Sequence, residues 1–261
     1  MKTIQQLLPL MAFTILVNAC KSDEKEIPTD CTGLHWTYDS GEEGPAHWGE
    51  ICTGYSDCKG SAQSPINMVN AATDASLTAI TKTYNTSTVH ILNNGHTLYF
   101  SYDSTSLSSI TYGGMAYSLL QFHTHTPSEH TIDGKSYPLE IHFVHKNATT
   151  GKLAVIGVMF SEGAENVTLA KFVGNLPTKT DGKYDLATDN YTATDLMPTS
   201  QSYYTYAGSL TTPPCSETVT WLVMKTPMTA SAAQIAAFKN IESSNNRPIQ
   251  SLNGRILKVF N

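Results

Sequence analysis

The chain has 261 residues, of which 40% are hydrophobic and 15% charged, and its formal net charge is −6. That is long enough for one domain with a sizeable core, and mild acidity gives no reason to expect a nucleic-acid partner, which a basic surface would favour. No apolar run is long enough to span a bilayer stably. Residues 1–20 carry Lys2, then the apolar run Leu7 to Val17, then V-N-A-C, the layout of a secretory signal peptide.

The small or apolar residues just before Cys20 resemble a bacterial lipoprotein cleavage box. Cleavage there would leave a lipidated Cys20 as the only membrane contact; ordinary signal cleavage nearby is the alternative. Lys21 to Asp30 is charged and turn-rich, so a flexible tether is expected over residues 21–34, with one folded domain over 35–261. Setting Cys20 aside leaves Cys31, Cys52, Cys58 and Cys215, an even number in an exported chain. Two disulfides fit, with three possible connectivities. Without C-x-x-C spacing, a cysteine metal site is not expected.

From His35 to Cys52 the chain is rich in aromatics and turn formers without a helical period, which predicts an irregular layer in which His35, Trp36, His47 and Trp48 pack. The motif Q-S-P-I-N at Gln63 to Asn67 reads as structural. Runs such as S-T-V-H-I-L and T-L-Y-F-S-Y between Ser76 and Tyr117 are strand signals separated by turns. N-N-G-H at Asn93 to His96 places a histidine beside a turn, by itself an exposed side chain.

In S-L-L-Q-F-H-T-H, strand alternation puts Leu119, Gln121, His123 and His125 on one face and Leu120, Phe122 and Thr124 on the other. After the turn dipeptide Asp133-Gly134, a second run puts Glu140, His142 and Val144 on one face and Leu139, Ile141 and Phe143 on the other. Three neutral imidazoles with no fourth protein ligand describe a catalytic zinc site, because the open tetrahedral position is left for water. Gln121 and Glu140, two residues before His123 and His142, are placed to accept each ring's other N–H. Histidines two apart on a strand are more often ordinary strand residues, and alternation does not make the two strands neighbours.

Lys152 to Phe160, K-L-A-V-I-G-V-M-F, predicts a buried central strand, and residues 166–179 a short helix and turn. Residues 184–198 read as loop and strand. In T-T-P-P at Thr211 to Pro214 the prolines restrict the backbone and predict a rigid, extended loop. Ala230 to Asn240 is the best helix, with Ser231 or Thr229 as its cap.

The stretch Q-F-H-T-H-T-P-S-E-H, followed by L-E-I-H-F-V-H, resembles the signature of the α-carbonic anhydrases, and the likeness extends from about Trp36 to Val259. It implies that His123, His125 and His142 hold zinc and that the fold is mainly β: one domain with a large, mostly antiparallel central sheet and short peripheral helices. His96 would relay protons to solvent, which suits a side chain of unperturbed pKa near 6.5, and Asn94 would help hold the water chain. Tyr38 takes the position of the cavity tyrosine. His130 and His145 are structural. A backbone carbonyl at Asn245 would orient the second zinc histidine.

The same resemblance implies that Thr211 donates to Glu129 and therefore accepts from the attacking hydroxide, aiming it at the substrate carbon. Thr212 would contact substrate or bicarbonate. Val144, Val155, Leu210 and Trp221 would form the apolar wall, with Ala154 beside Val155; an uncharged linear molecule suits such a wall. In the family's exported members a cysteine before Q-S-P pairs with one after T-T-P-P, which implies Cys58 with Cys215 and leaves Cys31 with Cys52.

The expected activity is therefore zinc-dependent, reversible hydration of carbon dioxide to bicarbonate and a proton, a lyase reaction, with slow ester hydrolysis as a side activity. The address would be the periplasm or cell envelope, anchored through Cys20. The oligomeric state is open, a homodimer being one option. Two rivals are a binding module that has lost catalysis, against which all three histidines, Thr211 and Glu129 weigh, and a zinc hydrolase acting on esters, which substrate range would separate.

Overall fold

Alternating apolar and polar residues dominate the chain from Ser87 onward, and they form strands. The computed structural model describes residues 27–103 and 105–261, so the expected signal peptide, the expected lipidation at Cys20 and the start of the expected tether fall outside the described residues. A thirteen-stranded sheet forms the body. Its main path runs, in spatial order, Lys183–Tyr191, Ser87–Asn93, Leu98–Ser101, Met115–His125, Leu139–Lys146, Leu153–Glu162, Val219–Met224, Tyr203–Gly208, Lys258–Phe260 and Ala72–Thr73. Pairing along this path is antiparallel except between Leu153–Glu162 and Val219–Met224 and between Lys258–Phe260 and Ala72–Thr73. The mainly β, mostly antiparallel architecture is as expected, with these parallel pairs added.

The two faces of the sheet carry two apolar clusters. One gathers Phe100, Phe122, Ile141, Phe143, Ile156 and Phe172. The other gathers Val144, Val155, Met159, Tyr206, Trp221 and Val223. Neighbours along one strand divide between them, as Phe143 and Val144 do, because the side-chain period is two. Burying each large apolar side chain contributes about 1.5–3 kcal/mol, so both faces are held.

Two expectations about faces fail. Leu119 does not share the face of Gln121; it packs in the same cluster as Phe122. The register against Leu139–Lys146 shifts between Leu119 and Gln121, leaving Leu120 as the extra residue of a β-bulge, 46% exposed. One inserted residue reverses the alternation on its amino side. Ala154 likewise joins the cluster of Ile156, opposite Val155, so it is not part of the Val155 wall.

The expected helix forms at Ala232–Glu242, two residues later than anticipated at each end. Ser231 caps it: its hydroxyl accepts from the Gln234 backbone N–H, and the Gln234 side chain accepts in return from Ser231 N–H. Such a cap contributes about 1 kcal/mol. A short helix at Ala170–Val173 also matches its prediction. Among the described residues no helix is long and apolar enough to cross a membrane.

Disulfides join Cys31 to Cys52 and Cys58 to Cys215. The first moves the start of the folded body back from residue 35. Thr53 N–H also donates to the Pro28 carbonyl at 2.9 Å, so residues 28–34 lie fastened to the domain rather than forming a free tether.

Candidate metal centre

The strands Met115–His125 and Leu139–Lys146 are antiparallel neighbours, with His123 opposite His142 and His125 opposite Glu140. Their register brings the rings of His123, His125 and His142 together, with centroids 5.1, 5.3 and 4.6 Å apart. Each ring has one nitrogen committed to an acceptor. His123 Nδ1 donates to Gln121 Oε1 at 3.0 Å, His125 Nδ1 to the Asn245 carbonyl at 2.8 Å, and His142 Nε2 to Glu140 Oε1 at 2.8 Å. An imidazole that donates from one nitrogen presents a lone pair on the other, so Nε2 of His123, Nε2 of His125 and Nδ1 of His142 are the atoms left free to take a metal.

These residues can hold a metal ion within one cluster of ligand atoms. The fit is tested by what surrounds the free nitrogens: His125 Nε2 and His142 Nδ1 are buried without any hydrogen-bond partner. A buried acceptor without a donor costs about 1–3 kcal/mol, and a cation at the centre of the trio removes that cost. Burial pushes His123 well below its usual range and His125 down to about 4, and it lowers His142, so all three rings are neutral near pH 7, as ligands must be.

His130, Glu140 and His142 also meet metal-ligand spacing. That second cluster is closed. Glu140 Oε1 accepts from His130 Nδ1 and His142 Nε2, Oε2 accepts from the backbone N–H of Glu129 and His130, and His130 Nε2 bonds Tyr206 at 2.7 Å. Burial alone would raise the Glu140 pKa, yet the flanking His130 and His142 hold it well below the usual carboxylate range. His130 is structural, and so is His145, which bonds Tyr84 and the Ala154 carbonyl on the other face.

Glu129 is buried close to Thr211, and its Oε2 has no hydrogen-bond partner. Glu129 Oε1 accepts from Arg247 N–H at 2.9 Å, and Oε2 lies 3.5 Å from His125 Nε2 and 3.8 Å from His142 Nδ1. Burial pushes Glu129 up to about 7, while His142, Arg247 N–H and the Thr211 hydroxyl pull it down. The loop that carries Thr211 closes as a tight turn, not the extended run expected: Cys215 N–H donates to the Thr212 carbonyl at 2.8 Å around a cis Pro213–Pro214 bond. Thr212 is half-buried at its rim. Val144, Val155 and Trp221 are buried together with Leu210 against them, and the Trp221 ring stands edge-on 4.7 Å from His142.

At the mouth, the His96 ring stacks on Trp36 at 3.8 Å with 7° between planes, and His35 lies 6.2 Å away. Burial, then His35, lowers the His96 pKa from its ordinary value. Asn94 Oδ1 accepts from the backbone N–H of His96 and Thr97, so its oxygen shapes the turn and only its amide nitrogen is free for a water chain. Tyr38 lies edge-on to Trp36 and Trp48, with its buried hydroxyl unpartnered. Trp48 packs as predicted; His35 and His47 do not, because each instead pairs with a surface carboxylate, Glu43 and Glu50.

The sequence reading missed Arg247, which is buried and donates to Gln63 Oε1 and the Ser64 and Cys58 carbonyls while its own N–H holds Glu129. An arginine before a proline gives no sign of burial. It also missed Glu242, the last residue of the helix and two residues beyond its expected end.

A family model of eukaryotic-type carbonic anhydrase matches residues 43–260. The chain is 45% identical over 226 residues to a carbonic anhydrase of Pectobacterium carotovorum, covering 86% of this chain and 90% of that protein. Among solved structures, a hyperthermostable carbonic anhydrase from an active hydrothermal vent chimney superposes with a TM-score of 0.82 at 45% identity, covering 87% of this chain and 100% of the other. The α-carbonic anhydrase of Thermovibrio ammonificans, in complex with the inhibitor sulfanilamide, gives 0.81 at 40% identity over 87% of this chain and 99% of that one.

Proposed function

The chain belongs to the eukaryotic-type, or α, carbonic anhydrase family, and from that premise we propose that it interconverts carbon dioxide and water with bicarbonate and a proton, using zinc held by His123, His125 and His142. The reading is carried by three converging imidazole lone pairs, two of them buried with no partner. Zinc, when bound, supplies hydroxide at neutral pH by lowering the pKa of water to about 7, a value for which carbonic anhydrase is itself the reference case.

The protein's own residues do the rest. Gln121, Glu140 and the Asn245 carbonyl fix which nitrogen of each ring faces inward. Thr211 donates its proton to Glu129, whose buried Oε2 has no other partner, so its oxygen can only accept from the attacking oxygen, whose lone pair is then turned toward the substrate carbon. Val144, Val155, Leu210 and Trp221 form a dry wall suited to an uncharged substrate, and Thr212 at the rim contacts the bicarbonate product. His96 accepts the released proton and passes it to solvent; its lowered pKa keeps it neutral and ready to accept at pH 7. Slow hydrolysis of activated esters accompanies this chemistry. Export as a lipoprotein anchored at Cys20 and residence in the cell envelope complete the proposal.

Stopped-flow carbon dioxide hydration, with metal analysis, tests it. Rapid hydration abolished by a zinc-binding sulfonamide is expected. Efficient ester cleavage without carbon dioxide hydration would replace the reading with a zinc hydrolase.

A further inference from the structure

Glu242 ends the helix Ala232–Glu242 with its carboxyl group in the interior. One atom, Oε1, accepts from Thr124 Oγ1 at 2.6 Å and Leu98 N–H at 2.7 Å, with Thr97 Oγ1 3.1 Å away. Thr124 stands between His123 and His125 on the strand that carries them, and Thr97 directly follows His96. The Thr97 hydroxyl also reaches the Thr124 carbonyl at 2.7 Å, and Asn245 Nδ2 donates to the carbonyls of both His96 and Thr124. The other oxygen of Glu242 is buried without a partner. Burial pushes its pKa up to about 8 against the pull of Thr124, Leu98 and Thr97, which makes neutral glutamine its closest replacement.

Nothing in the reaction needs a carboxyl group at that place, and a buried one is costly unless it organises its neighbours. We propose that Glu242 is a positioning residue for proton export, fixing the distance between His96 and the histidine triad by tying the His96 turn to the ligand-bearing strand through Leu98 N–H and the Thr124 hydroxyl. The proposal rests on the relay role assigned to His96. It distinguishes Glu242 from Gln121 and Glu140, which bond ligand rings directly.

The test compares Glu242→Ala, Glu242→Gln and Thr97→Val in two measurements. In carbon dioxide hydration at low buffer, kcat reports proton export, whereas kcat/KM reports steps up to bicarbonate departure. Glu242→Ala is expected to lower kcat about tenfold, well inside the cost of a misplacement of about 1 Å, to leave kcat/KM within about twofold, and to recover with concentrated imidazole buffer. Glu242→Gln, which keeps a carbonyl acceptor, should stay near wild type, and Thr97→Val, which removes the bond to the Thr124 carbonyl while leaving the Leu98 and Thr124 bonds to Glu242, should lose about threefold in kcat. In the metal-free protein, the ring-current shift that Trp36 imposes on His96 protons should shrink in Glu242→Ala and persist in Glu242→Gln.

An unchanged His96 signal with unchanged low-buffer kcat in folded Glu242→Ala overturns the proposal. So does a parallel fall in kcat/KM with faster zinc release, which would make Glu242 a support of the triad instead. Should the alanine variant not fold, Glu242→Leu, which fills the same space without an acceptor, decides by the same two readouts. If His96→Ala leaves low-buffer kcat intact, the relay reading fails by itself, and the His96 shift still decides whether Glu242 sets that ring's position.

Discussion

Replacing Glu140 by glutamine changes one atom in a carboxylate that accepts from four donors, and the geometry dictates which of them gives way. Two donors are the backbone N–H groups of Glu129 and His130; two are the ring nitrogens of His130 and His142. The amide has one oxygen and one NH2 group, so it can satisfy one pair and must oppose the other. A backbone N–H cannot invert, whereas an imidazole can move its proton to its other nitrogen. Glutamine therefore turns its oxygen to the backbone, and His142 shifts its proton to Nδ1, the atom that faces the centre of the triad. Exchanging charge-assisted bonds for neutral ones is expected to destabilise the metal-free fold by about 1–3 kcal/mol, less than the stability of a typical domain, so the variant stays folded. Zinc affinity falls by about 10- to 100-fold, the usual cost of losing an orienting acceptor, or about 1.4–2.7 kcal/mol. Chelator competition measures the affinity and nitrogen-15 NMR of the metal-free protein reads the tautomer. A variant that binds zinc within about twofold of wild type, with His142 still protonated on Nε2, would refute the reasoning.

His142→Ala should lose both bound zinc and hydration activity, checked by metal analysis and stopped flow; full activity would sink the ligand assignment. His96→Ala should lower kcat by about tenfold or more at low buffer with kcat/KM nearly unchanged, and small imidazole buffers should restore it. His90, on the strand Ser87–Asn93, sits between Asp185 and Asp103 at 2.6 and 2.9 Å, and hydrogen bonds to these two carboxylates raise its pKa. The pairing therefore stabilises fully below the unfolded value of about 6.5 and fades as pH rises through the folded pKa. Denaturation of wild type and His90→Gln across pH 5.5 to 9 should show a gap that narrows toward high pH; a gap that widens contradicts the assignment.

The metal-facing half of the site was legible because it obeys the strand period. Glu140, His142 and Val144 share a face as alternation requires, and both Gln121 and Glu140 accept from the ring two residues on. Leu119 was misplaced because a bulge leaves no mark in a run of two leucines. That the two strands are neighbours came from the resemblance, since pairing between separate segments has no local signal. Residues far along the chain were hardest. Arg247 and Glu242 are charged residues that burial and bonding to the far side of the fold convert into fixtures, and nothing nearby in sequence announces it. The tight turn at Thr212 to Cys215 was invisible for a similar reason, because proline composition restricts the backbone without stating which isomer it takes.

The Asn245 carbonyl that accepts from His125, and the Arg247 N–H that steadies Glu129, lie far along the chain from the triad. Synthesis proceeds from the amino terminus, so every ring of the triad is made roughly a hundred residues before the groups that set one ring's proton and anchor the neighbouring acid. A product stalled before Asn245 would carry all three histidines yet leave His125 without the acceptor that fixes its orientation. The inward-facing nitrogen of His125 is thereby set by a segment made well after the ring itself.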